Sequence, residues 1–281
     1  SANPAREVAV MSSSSRTAVF SRMAEDQLYL NRACLVGYCD LNASSLRALL
    51  GIEARVEFWD LDVPGLPCGI DDGAQQQLLL PACERWDGTP PMEGELKPLQ
   101  VLNLKYEQYS LILVNSHVPP SRVHLVMQRV FQLFEQFKVS RVHLLSCLHL
   151  PDAAGNPIEL LDDIDDRADG GAARLTETAF NGAADKLDPG LPSLDLTARP
   201  VRDAFLCCFV QFALVDRLPF TLLACVRHRA KVASVDSPSV AAFQACLADR
   251  LGLAFSLERS LNGIRFHRQP VSAGGDSGMY V

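Results

Sequence analysis

This chain has no glycine-rich phosphate cradle. Neither G-x-x-x-x-G-K-S/T nor G-x-G-x-x-G occurs, so the usual signatures of nucleotide hydrolysis and dinucleotide binding are missing. Basic residues are outnumbered, 26 lysines and arginines against 33 aspartates and glutamates, which leaves a formal charge of −7. That balance argues against a nucleic-acid or anionic-membrane partner, because such binding neutralises phosphates with basic side chains. No apolar run is long enough for a bilayer; the longest, residues 204–215, is interrupted by Gln211. Nine cysteines form no framework. Their number is odd, no C-x-x-C spacing supports a zinc site, and most sit in apolar runs such as Phe205-Leu-Cys-Cys-Phe209. They are expected to be small buried hydrophobes in a reducing compartment. The first residues lack a basic segment followed by an apolar core, so a secretory signal is not expected and the cytoplasm is the expected location.

What is present is an ordinary globular composition, 48% hydrophobic and 21% charged over 281 residues. Residues 33–38 (ACLVGY) form a strand candidate. Asn42 then offers a helix N-cap before Leu46, Leu49 and Leu50, with Gly51 at the stop. Residues 55–61 alternate like a half-buried strand, and 99–104 with 111–114 suit a hairpin around Glu107-Gln108. Val123, Val126, Met127, Val130, Phe134 and Phe137 make the clearest helical stripe. Residues 142–148 (VHLLSCL) suit a strand covered on both faces. Pro200 can start a helix reaching Val215, residues 220–226 are a buried strand, and Ser237-Pro238 opens a last helix that Gly252 stops.

Alternating strands and helices predict one α/β domain over 26–262, with a largely parallel sheet covered by helices on both faces. Long insertions are expected at 64–94 and 151–195, rich in Pro, Gly, Asp or Ala, with a flexible arm over 1–25 and a flexible tail over 263–281.

Catalytic signals are few. His143, Cys147 and His149 share one parity along a strand, so they could pair a thiol with its base. Packing in an α/β core accounts for them equally well. The acidic run from Asp162 to Asp169 fails as a calcium loop, since a start at Asp165 puts Arg167 third and Thr176 twelfth. Gly275-Asp276-Ser277-Gly278 spells a protease nucleophile segment but lies three residues from the end of the sequence. Neither a catalytic residue, a metal nor a cofactor is expected. Trp59 fits a strand core; Trp86 could be an interface anchor.

The tail carries the sharpest signal. Met279-Tyr280-Val281 follows a stretch from Ser272 to Gly278 with little to pack, whose reach as a Gly/Ser-type coil is about 15 Å. A hydrophobic residue, a tyrosine and a carboxylate at Val281 make a docking plug: Met279 fills a pocket, Tyr280 anchors and Val281 bears the charge. The pattern resembles the hydrophobic-Tyr-any motif with which proteasome activators and assembly chaperones enter pockets between α-subunits of the 20S core. A PDZ groove reading Met279 and Val281 is the other reading, which would make the chain an adaptor.

The order of segments 33–60, 109–152 (with Leu144-Leu-Ser-Cys-Leu-His-Leu150) and 209–252 (with Leu218-Pro-Phe-Thr-Leu-Leu-Ala-Cys225) resembles the eukaryotic proteasome assembly chaperones, in particular the first subunit of their heterodimer. The match covers about half the chain and leaves out the two insertions, as in a divergent homologue. The resemblance implies a non-enzymatic α/β protein with a core similar to nucleoside-phosphorylase-like folds. It implies pairing with a second chaperone subunit of related fold on the outer face of the 20S α-ring, in cytoplasm and nucleus. The alternative is a phosphorylase- or hydrolase-like enzyme using the His143/Cys147/His149 strand, which would have an enclosed polar pocket at the strand ends.

Overall fold

The computed structural model describes residues 8–10, 19–40, 43–66, 99–105, 107–115, 118–149, 174–183, 188, 190–194, 201, 203–227 and 237–262. Among them, nine strands join in one mixed sheet. They are β1 (Val8–Val10), β2 (Val19–Arg22), β3 (Ala33–Tyr38), β4 (Val56–Leu61), β5 (Leu99–Leu104), β6 (Tyr109–Val114), β7 (Arg141–His149), β8 (Arg174–Phe180) and β9 (Phe220–Arg227). The spatial order is β1-β2-β4-β5-β6-β3-β7-β9-β8. The centre, β6-β3-β7-β9, is parallel throughout. The β5/β6 hairpin is antiparallel, as are β4 on β5 and β8 on β9.

The central strands read as continuous apolar runs because alternate residues feed two different cores. Along β7, Val142, Leu144 and Leu148 enter one cluster and Leu145 and Cys147 the other; β9 splits in the same way, Leu222 against Leu223. The first core is closed by α2 (Val123–Gln136) and α3 (Ala204–Val215). The second is closed by α1 (Ser44–Leu50) and α4 (Ser237–Leu251), with α5 (Leu257–Asn262) packed on α1 and α4. This is the α/β class that the sequence predicts. β6 and β7 run parallel on either side of β3, and α2 supplies the crossover between them.

Two glycines let the second layer sit close. A Cβ on Gly37 would lie 2.9 Å from Leu49 Cδ1 and 3.2 Å from the Ser45 carbonyl, so α1 rests directly on the β3 backbone. Gly51 caps α1 with φ −74°, so the left-handed turn expected of a stop glycine is not what it provides. It provides room: a Cβ there would collide with Ser260 Oγ, Gln244 Nε2 and, at 2.8 Å, the Ser256 carbonyl. Gly252, at φ +68°, does end α4 as a left-handed cap.

Several local expectations need correction. The arm at 1–25 is not wholly loose, since β1 and β2 come from it and β2 pairs parallel to β4. The span 151–195 is not wholly an insertion. Its residues 174–180 form β8, and residues 190–194 then cover the outer edge, with Glu177 N–H donating to the Pro192 carbonyl at 3.0 Å. The alternation there is written in Thr and Ala, too weak in hydrophobic contrast to stand out. Helix α3 starts at Ala204 rather than Pro200, because the Asp203 side chain accepts the Leu206 N–H at 2.8 Å and caps it. The residue before α1 is Ala43, in a left-handed turn with no capping side chain; Asn42 lies outside the described residues, as do 67–94, Trp86 and Asp162 to Asp169. Trp59 is core as expected, 1% exposed, with its indole N–H donating to the Ala24 carbonyl at 2.9 Å.

Candidate functional site

Three places compete for function, and the structure describes two of them. Met279, Tyr280 and Val281 lie outside the described residues, as does Gly275 to Gly278.

The first described place is the carboxyl end of β3 and β7, where open α/β sheets bind ligands. Tyr38 ends β3, and its hydroxyl donates to Asp203 Oδ2 at 2.8 Å and contacts Ser146 Oγ of β7 at 2.6 Å. Its ring stacks on Phe205 of α3, with centroids 4.1 Å apart and planes at 13°. Two residues on, Asp40 accepts N–H bonds from Ser45, at 3.2 and 3.3 Å, and from Cys147. One carboxyl thus caps the start of α1 and ties it to β7. Sequence reasoning missed all four residues. The available signal was an acid two positions past an apolar strand, and another immediately before an apolar helix.

Burial dominates the electrostatics here. It pushes the Asp40 carboxyl well above the usual carboxylate range, with the Asp203 charge adding to the shift and the amide bonds from Cys147 and Ser45 opposing it. Tyr38 is pushed up by burial first, then by Asp203 and Asp40. Tyr38 is 2% exposed and Ser146 fully buried. The cluster is filled and bonded by its own side chains, so it locks β3, β7 and α3 together.

His143 and Cys147 share the second-core side of β7. His143 is buried, and its Nδ1 bonds the Thr221 hydroxyl of β9. Cys147 stands in register with Cys225, and both thiols reach Ser239 Oγ, at 3.7 and 3.2 Å. The Cys225 contact and burial both push the Cys147 thiol well up, against the thiolate form that a nucleophile needs. His149 joins the β7 ladder opposite Arg227. Among the described residues no group of three His, Cys, Asp or Glu side chains could hold a metal ion.

The second place is a groove between α2 and α3. Helix α3 is apolar nearly all round, a pattern that sequence reads as fully buried. Instead, one side packs on the first core through Phe205, Leu206, Phe209 and Ala213, while Leu214 and Val215 are 52% and 81% exposed. Phe131 of α2 meets Phe209 and Phe212 of α3 at 5.3 and 5.4 Å. Beside that seam Phe131, Phe212 and Val215 line an open groove of about 430 Å³, edged by Glu135, Gln211 and Asp216.

No family model matches this chain, and no curated protein matches it. Solved structures do. A Thermoplasma acidophilum protein of unknown function aligns at TM-score 0.50 with 9% identity over 84% of each chain. Pyrococcus furiosus PbaB, an archaeal proteasome activator, aligns at TM-score 0.50 with 11% identity over 83% of this chain and 88% of its own. Pyrococcus furiosus PbaA, an archaeal homologue of proteasome-assembly chaperone, aligns at 0.49 with 13% identity over 83% of each. At these identities the likeness is one of fold, and the chain shares the α/β fold of PbaB and the Thermoplasma protein across most of its length.

Proposed function

We propose that this chain is a non-enzymatic chaperone of 20S proteasome assembly. It pairs with a second chaperone subunit of related fold, sits on the outer face of the α-ring in cytoplasm or nucleus, and inserts Met279, Tyr280 and Val281 into a pocket between α-subunits. The observation that carries this reading is the conjunction of a fold shared with an archaeal proteasome activator and a hydrophobic-Tyr-any ending. The filled polar cluster at the strand ends and the protonated, buried Cys147 weigh against the enzyme alternative.

Three variants test the plug: deletion of residues 279–281, Tyr280→Ala, and extension past Val281 by a few glycines. Each is expected to weaken binding to core-particle precursors. The reading requires Val281 to bear the α-carboxylate, and extension probes that charge alone. A hydrogen-bonded charge contributes about 1.5–3 kcal/mol, so extension should cost about tenfold or more in affinity. Extended chain that binds precursors like the parent would overturn the plug. Loss on extension with full tolerance of Tyr280→Ala would point instead to a PDZ groove reading Met279 and Val281.

A further inference from the structure

The α2/α3 groove combines three properties that together suit another molecule. Its floor is apolar, with Phe131 and Phe212 flanking the exposed Val215. Both helices reach it by their C-terminal halves, where backbone carbonyls concentrate negative potential. Each then adds an acid where that potential favours a base: Glu135 lies in the last turn of α2 and Asp216 caps α3, and neither last turn holds a basic residue. Lys138 and Arg217, which follow the caps Phe137 and Asp216, do not line the groove. An acid at a helix C-terminus opposes the helix dipole, so this arrangement works against the chain's own stability.

We infer that this groove is a docking surface for an amphipathic α-helix of a partner protein, whose aliphatic anchors are bracketed by lysine or arginine. Charge selects this occupant over the alternatives. In a two-fold pairing of this chain with itself, Glu135 and Asp216 would meet acidic rims on a molecule of net charge −7. A free chain terminus bearing its carboxylate would likewise enter a field of its own sign. A helix with basic flanks gains contact with Val215, covers it, and neutralises the rim. The inference rests on the chaperone reading only in assigning this helix to the second subunit.

The test uses the full chain and two labelled peptides of about 15 residues, with one leucine stripe, flanked by lysine in one peptide and by glutamate in the other. Fluorescence anisotropy should show the lysine peptide binding at least tenfold tighter at low salt, with the gap closing as salt is added. Val215→Glu should abolish binding of both while leaving the melting temperature unchanged, since Val215 is already exposed. Glu135→Lys with Asp216→Lys should reverse the preference. Equal binding of the two peptides, no binding up to millimolar concentration, or indifference to Val215→Glu would overturn the proposal. Self-association of the chain that Val215→Glu abolishes would overturn it in favour of a second copy. Deleting residues 279–281 should leave peptide binding intact, so failure of the tail reading and failure of the groove are read separately.

Discussion

Replacing Tyr38 with phenylalanine isolates the bonds that tie β3, β7 and α3 together. The ring keeps its stack on Phe205, and only a hydroxyl is lost. That hydroxyl donates to Asp203 Oδ2, so the proton between it and Ser146 belongs to Ser146. Removal strands the fully buried Ser146 hydroxyl and withdraws one donor from Asp203, which keeps the Leu206 N–H at 2.8 Å. A buried polar group deprived of its partner costs about 1–3 kcal/mol. One group fully and one partly deprived give a loss of about 2–3 kcal/mol. At about 2–4 °C per kcal/mol for a domain near this size, the melting temperature should fall by about 4–12 °C in scanning calorimetry. Ser146→Ala removes the stranded donor, so the double variant should lose less than the two single losses added together. A Tyr38→Phe midpoint within about one degree of the parent, or strict additivity in the double variant, would refute the lock.

Asp40→Asn should flatten part of the pH dependence of stability. Burial raises the folded pKa, so the parent's advantage from this group is full below the ordinary value near 4 and is lost as pH rises through the folded value. Urea titrations should show the parent-minus-variant difference shrinking with rising pH; a constant or growing difference would refute the assignment. Gly51→Ala should cost about 1–3 kcal/mol, because the new methyl displaces Gln244 from its bonds to the Ala48 carbonyl at 3.0 Å and Ser260 Oγ at 2.6 Å. An unchanged urea midpoint would show that α4 and α5 yield freely. In the native chain Cys147 should resist thiol reagents at neutral pH, labelling only on unfolding, whereas Cys207 and Cys208, half-buried, label first. Rapid stoichiometric labelling of Cys147, read by peptide mass spectrometry, would count against its structural role.

Much of the fold was legible in local sequence. The stripe from Val123 to Phe137 reads as one face of a helix, and all of it but the cap Phe137 lies in α2; residues 99–104 and 111–114 suit a hairpin of apolar strands, and Gly252 suits a stop; each signal is complete within about one element's length. Residue order alone excluded a phosphate cradle motif, and composition alone set the acidic balance. The rest depended on contacts distant in sequence. Asp40 acquires its role from Cys147, 107 positions away, and Tyr38 from Asp203, 165 positions away. The Thr-rich strand at 174–180 becomes a strand because β9 offers it an edge. Helix α3 carries apolar residues on every side, so its own sequence cannot tell the side that packs Phe209 and Ala213 on the first core from the side that leaves Val215 in solvent. Periodicity determined what each segment could be, but only packing decided which of its faces was left over for another molecule.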